Sequence, residues 1–203
     1  FPHEVYEEKD NYYYSQTNEE VLKGPSESMS KSKKNVVDPE DIIKEYGADT
    51  ARLFMLSDSP PERDIKWSLS GINGAWKFTQ KFWRTVNGCS NIFSINLDER
   101  PLKFTKESDV FRKKVHKYLK AITESIENFQ MNVAVAKMHE LTNEISIFES
   151  KNDNNSWCQK EALTILIKVA EPIMPHLAEE CWHQIGNQSS IINYEWPKIE
   201  EDL

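Results

Sequence analysis

Apolar positions change their rhythm near residue 68. Upstream they are scattered: Tyr12, Tyr13 and Tyr14 predict a short strand, and Gly24-Pro25 marks a turn. Asp38 reads as a helix N-cap, with Pro39 at the first helical position and the acidic Glu40 and Asp41 facing the positive end of the helix dipole. Gly47 is placed to stop that helix. A second helix is expected over about 49–57, ending before Pro60-Pro61. On it Asp49 and Arg52, three apart, predict an intrahelical ion pair.

From Ser68 onward the period is helical. Ile72, Trp76, Thr79, Trp83 and Val86 trace one stripe at alternating spacings of four and three. Val115, Tyr118 or Leu119, Ile122, Ile126 and Phe129 trace a second; Met138, Leu141, Ile145 and Phe148 a third; Leu163, Leu166, Ile167, Ala170 and Ile173 a fourth. Ser156 is the expected cap of that fourth helix, and a short helix carrying Leu177, Cys181 or Trp182, and Ile185 follows Pro172 and Pro175. Such stripes must bury against one another. The expected fold class is mainly α: a small irregular α/β segment over residues 1–67, then an antiparallel helix bundle over 68–203. Trp76, Trp83, Trp157 and Trp182 lie on the stripes, so they are expected in the core rather than as base-stacking platforms.

Composition changes this picture little. The 203 residues suffice for one core or for a small lobe joined to a helical domain. No apolar run is long enough to cross a bilayer, and no signal-peptide pattern opens the chain. Cys89, Cys158 and Cys181 form no Cys-x-x-Cys pair and read as reduced thiols of a cytoplasmic protein. Cys181 and His183, two apart on a helix, point in different directions, so no metal site is expected. His116, His139, His176 and His183 lack an adjacent nucleophile and carboxylate, which speaks against a catalytic triad.

The net charge of −8 changes it more. Charge is segregated: residues 195–202 are acidic, whereas 103–120 carry Lys103, Lys106, Arg112, Lys113, Lys114, Lys117 and Lys120. A basic face is therefore permitted, and the local field governs affinity for a polyanion more than the total. Lys77, Lys81 and Arg84 form a further cationic stripe, four and three apart.

The densest polar cluster is Met29-Ser30-Lys31-Ser32-Lys33-Lys34-Asn35. Its lysines cannot be buried without partners, so it predicts a cationic loop suited to gripping a polyphosphate. The order of residues resembles the Lys-Met-Ser-Lys-Ser signature of the class I aminoacyl-tRNA synthetases. Tyr46-Gly47-Ala48-Asp49-Thr50-Ala51-Arg52-Leu53-Phe54 resembles the helix that follows the signature in the leucine, isoleucine and valine enzymes. Further likeness to the bacterial-type leucyl enzymes lies at Pro60–Ser68, at Gly71–Phe78 running to Phe82-Trp83-Arg84, at Asn132–Leu141 and at Pro172–Trp182. Trp67-Ser68-Leu69-Ser70-Gly71 tells against the alternative, a valyl or isoleucyl enzyme. A second alternative, a non-catalytic helical interaction module, would make the lysine loop a linker.

The resemblance implies that residues 1–67 are the C-terminal part of a catalytic domain and 68–203 a helical domain of the anticodon-binding type, docking tRNA. Phe1 in place of an initiator methionine, and the lack of a His-Ile-Gly-His-like segment, imply a piece of a longer ligase that is inactive alone. The longer enzyme would use ATP with Mg²⁺, L-leucine and leucine tRNA, as a cytoplasmic monomer without membrane contact. Lys31 matches the signature's second lysine and is the expected catalytic cation. Ser28, Met29, Ser30 and Ser32 complete the expected ATP-binding set, with Ser28 standing where the signature has its first lysine and Lys34 where glycine is common. Lys33 or Lys34 is the expected replacement for the missing charge. Lys77, Lys81 and Arg84, with Arg84 favoured, are the expected contacts to the tRNA backbone. No residue is assigned to reading anticodon bases.

Overall fold

The computed structural model describes residues 4–8, 11–22, 24–60, 62–95 and 99–200. Phe1, Pro61 and the end of the acidic run at 201–202 lie outside the described residues. The chain forms two compact units, Phe1–Gly47 and Ala48–Leu203.

The first unit opens with a three-stranded antiparallel sheet, β1 (Val5–Glu8), β2 (Asn11–Tyr14) and β3 (Glu20–Val21), in that order. Tyr6 opposes Tyr13 in the register, and their rings stack at 5.5 Å, the kind of cross-strand pair that stabilises a small sheet. An extended stretch leads to a turn at 31–34 and then to α1 (Pro39–Tyr46). Asp38 Oδ1 accepts the Glu40 amide at 2.9 Å, and Gly47, at φ 84, ends the helix in a conformation that disfavours other residues.

The second unit is helical: α2 (Ala48–Ser57), α3 (Leu69–Gly88), a 3₁₀ turn (Ser90–Ser94), α4 (Lys106–Glu127), α5 (Met131–Ile147), α6 (Asp153–Ala170), α7 (Pro175–Gln184) and a last 3₁₀ turn (Ile191–Asn193). Side-chain pairings give the directions. Phe78 and Lys81 of α3 meet His139 and Asn143 of α5 in the same order, so these two run parallel. Ser108 and Arg112 of α4 meet Asn155 and Glu161 of α6 likewise. Lys114 of α4 meets Glu144 of α5, and a three-residue turn joins the two helices, making that pair antiparallel. Successive helices α3 to α6 therefore alternate in direction, as an up-down bundle requires. Ile72, Phe82, Leu119, Ile122, Met138, Leu141, Ile145, Leu163 and Leu166 are fully buried between them, each contributing roughly 1.5–3 kcal/mol.

Three details depart from the expected pattern. The buried face of α3 runs through Ile72, Ala75, Phe78, Thr79, Phe82, Thr85 and Val86, so it is wider than the expected stripe and centred one position away. Trp76 falls at its edge, 37% exposed, and Trp83 and Trp157 are half-buried; among the four tryptophans expected in the core only Trp182 is buried. Phe129 takes φ 56 in the turn after α4 and points outward, so its stripe stops before it. The cap of α6 is Asn152, whose side chain accepts the Asn155 amide at 3.0 Å. Ser156, three residues inside α6, is buried in its first turn.

Candidate functional site

The loop in the first unit is braced by one residue that sequence reasoning missed. Asn35 Oδ1 accepts the Ser30 amide at 2.7 Å, and Asn35 Nδ2 donates to the Ser28 carbonyl at 3.3 Å. The carboxamide thus ties both arms of the turn together. Within it, the Ser30 and Ser32 hydroxyls lie 3.1 Å apart, and Ser30 Oγ accepts the Lys33 amide at 3.3 Å. Lys34 takes φ 54, in the left-handed region that costs a residue with a Cβ about 1–2 kcal/mol.

The lysines are used differently. Lys33 Nζ pairs with Glu27 at 2.5 Å, and that lysine, by hydrogen bond and by charge, holds the Glu27 carboxyl below its usual range. Lys31 is exposed, and its ammonium has no hydrogen bond or ion pair among the described residues. Ser28, Met29, Ser30, Lys31 and Ser32 thereby lie along one braced loop, with three hydroxyls and one uncommitted ammonium available to phosphate oxygens. That donor set suits the oxygens of a polyphosphate.

In the second unit Lys77, Lys81 and Arg84 share a face of α3. Lys77 and Arg84 are exposed, with no side-chain partner among the described residues. Lys81 is half-buried and donates to Asn143 Oδ1 of α5. Lys81, unlike the other two, is held in place by the bundle.

The basic run of α4 is a correction. Arg112 is wholly buried, its side chain bonded to Glu161 by Nε at 2.7 Å and Nη2 at 2.9 Å, and to Glu200 at 3.0 Å. Lys113, Lys114 and Lys120 pair with Asp109, Glu144 and Glu124. Carboxylates one turn away, or on the neighbouring helix, pair four of the seven cations that the linear sequence presents as a basic face; Lys103, Lys106 and Lys117 are exposed without such a partner among the described residues. His116, Glu161 and Glu200 place three potential metal ligands within 4.8 Å of one another. Glu161 and Glu200 are committed to the Arg112 guanidinium and His116 Nδ1 accepts the Glu200 amide, so a cation already stands at that centre.

Asp49 does more than pair with Arg52. Its Oδ2 accepts the Leu177 amide at 2.6 Å and its Oδ1 the His176 ring at 2.8 Å, so α2 caps the N-terminus of α7. The residue at the N-cap of α7, Met174, has no side chain able to cap; that gap was the signal that a cap must come from elsewhere. Burial pushes the thiols of Cys158 and Cys181 up to about 12, which removes them as nucleophiles at neutral pH.

Comparison with known proteins bears on the family. A family profile described as tRNA synthetases class I (I, L, M and V) matches residues 12–68, and one described as the anticodon-binding domain of tRNA ligase matches 109–203. The chain is thus similar to class I tRNA synthetases around the loop and to the anticodon-binding domain of tRNA ligases over its C-terminal helices. Within that class it matches leucine–tRNA ligases: those of Parvibaculum lavamentivorans and Anaplasma marginale are 46% and 45% identical over 185 and 186 residues, 91% of this chain in each case. The chain spans about a fifth of their length, 21% and 22%. Its structure resembles that of the Agrobacterium radiobacter K84 LeuRS in a ternary complex with tRNA and LeuAMS, with a TM-score of 0.77 and 25% identity over 86% of this chain and 23% of that one. The fold is shared with Mycobacterium tuberculosis methionyl-tRNA synthetase in its free state, at a TM-score of 0.57 and 17% identity, covering 72% of this chain and 34% of that one. No helix is long and apolar enough to cross a membrane among the described residues.

Proposed function

We propose that this chain is the signature-loop and tRNA-docking segment of a cytoplasmic leucine–tRNA ligase. In the complete enzyme the leucine carboxylate attacks the α-phosphate of ATP and releases pyrophosphate; the leucyl group then passes to the tRNA 3′ end. Residues 1–67 belong to the catalytic domain and 68–203 dock tRNA. Negative charge develops on phosphate oxygens in the first step. A cation that meets it chiefly in the transition state raises the rate rather than only tightening ATP binding. Lys31 is that cation. Ser28, Met29, Ser30 and Ser32 shape and line the loop, and Mg²⁺ entering with ATP would supply further positive charge to its phosphates. Lys77, Lys81 and Arg84 meet the tRNA backbone and position it without reading sequence.

The observation that carries the reading is the loop itself: Asn35 fixes its two arms while the Lys31 ammonium is left uncommitted. In the complete ligase, Lys31→Ala lowers ATP–pyrophosphate exchange by about 10²–10³, the scale of one transition-state donor; an unchanged rate refutes the role. For docking, the chain is titrated with leucine tRNA and a non-cognate tRNA at two salt concentrations, beside a Lys77→Glu/Lys81→Glu/Arg84→Glu variant. Salt-dependent binding lost in the variant supports the α3 face, and undiminished binding refutes it.

A further inference from the structure

A groove of about 500 Å³ lies in the second unit between α2, α3 and α5, lined among others by Leu53, Gly74, Ala75, Asn132, Ala136 and His139. Its size falls in the range of ligand sites. Gly74 is its informative member. Glycine inside a helix weakens it relative to alanine, yet a Cβ at Gly74 would meet nothing within 4 Å. Packing within this chain therefore gives no reason for the missing methyl. Gly71, one turn earlier, differs: its Cβ would meet the Phe54 ring at 2.5 Å. A glycine bordering open space on a groove suits backbone that another molecule approaches closely.

Two polar side chains of the groove are also uncommitted. His139 lies flat on Phe78 with ring centroids 3.5 Å apart, and neither imidazole nitrogen has a hydrogen-bond partner among the described residues. Burial, and then the nearby Lys81, hold its pKa below the ordinary value. The ring is thus neutral at pH 7, one nitrogen donating and the other accepting. The Asn132 carboxamide likewise has no partner among the described residues. Gly74, Lys77 and Lys81 follow one another at spacings of three and four, so the cations extend from the groove along the same face of α3. An apolar side chain in the groove would leave Asn132 and His139 unsatisfied. A nucleobase, carrying donors and acceptors on an apolar plane, would satisfy both.

We propose that this groove receives one unstacked nucleotide of an RNA, its base lying over Gly74 within reach of Asn132 and His139 and its phosphates met by Lys77 and Lys81. The phosphate half of the inference rests on the docking face proposed above. Splayed-out bases held in protein pockets are the usual route of sequence-specific RNA recognition.

Gly74→Leu fills the groove while favouring the helix, and Gly74→Ala is the control that strengthens the helix and leaves most of the space. Gly74→Leu is expected to weaken leucine-tRNA binding by about tenfold, the scale of one lost base contact. Its salt dependence should stay unchanged, because no phosphate contact is removed. Gly74→Ala should bind as the unmodified chain does. In parallel, AMP, GMP, CMP and UMP are added singly while the His139 ring resonances are followed by NMR. A shift in the unmodified chain that Gly74→Leu abolishes supports the site, even if tRNA fails to bind and the docking face falls. Weakened tRNA binding by Gly74→Leu without any mononucleotide or dipeptide response also supports it, and assigns the site to RNA rather than free nucleotides. Salt-dependent tRNA binding indifferent to Gly74→Leu leaves the docking face standing and overturns the groove. So does a His139 response to an acetylated Leu-Phe amide but to no nucleotide, which would make the groove a protein-docking surface. Absence of both tRNA binding and any mononucleotide response overturns it as well.

Discussion

Replacing Arg112 by methionine tests whether the bundle is held by one buried charge clasp. The Arg112 side chain is 1% exposed and packs over the rings of Phe104 and Trp157 at 4.4 and 5.3 Å. Burial works against its charge, but Glu161 and then Glu200 outweigh that, raising its pKa. Methionine fills similar volume and removes the charge, leaving the Glu161 and Glu200 carboxylates, 17% and 31% exposed, without their shared cation. Breaking a buried pair in this way costs about 3–5 kcal/mol. For a domain of this size that is a fall in Tm of roughly 6–20 °C. Urea unfolding followed by tryptophan fluorescence reads it, since Trp157 and Trp182 sit in the same bundle. Glu200→Gln should cost less, because Glu200 is more exposed and shared with Arg100. The decisive variant is Arg112→Met/Glu161→Met, which should recover most of the loss, as apolar replacement of a whole buried pair often does. A double variant as unstable as the sum of its single variants, or an Arg112→Met loss below about 1 kcal/mol, the scale of an exposed pair, refutes the clasp.

Three further outcomes are expected. Asp49→Ala should cost about 2–3 kcal/mol in the same assay, combining a lost helix cap with a lost charge-assisted hydrogen bond; a change within about 0.5 kcal/mol, as for an ordinary surface site, would show that α7 is not capped from α2. Stability should fall in two stages on acidification. The His139 pKa is depressed below 6.5, so its contribution is present above that value and lost below it, as the unfolded chain takes up the proton first. Glu161, opposed by burial but held below 4.5 by Arg112 and His116, contributes stability that is lost as pH drops through its folded value; a flat profile from pH 7 to pH 3 contradicts both. Asn35→Ala should raise the rate of tryptic cleavage at Lys31, Lys33 and Lys34 several-fold, since local opening exposes them, and an unchanged cleavage rate would mean that the carboxamide does not brace the loop.

The sequence made local features legible and concealed those that depend on partners from other elements. Asp38, Pro39 and Gly47 bound their helix as expected because capping is decided within four residues. The α6 stripe held for the same reason, its period being a property of one helix. Arg112 was misread because a charge counted along the chain looks exposed until Glu161, 49 residues away, is placed beside it. Asp49 was read as a helical ion pair because its second role depends on α7, more than 120 residues later. In the loop, Lys31 and the serines could be picked from the motif. Asn35 could not, since the motif alone does not show that its side chain reaches back to Ser28 and Ser30.

The same distinction resolves the net charge. A chain at −8 is a poor polyanion binder only if its cations are distributed at random, and they are not. Arg112, Lys113, Lys114 and Lys120 each face a carboxylate, so four of the seven cations in the run that is densest in the sequence contribute little outward field. Lys31, Lys77 and Arg84 have no such partner among the described residues. Exposed ion pairs contribute only about 0–1 kcal/mol to stability, so leaving such cations unpaired costs the fold little. It leaves them positive toward solvent, where a phosphate can supply the missing charge. In this chain, then, paired cations hold helices together and unpaired ones are left available for a ligand. The division is visible only once the carboxylates have been placed in space.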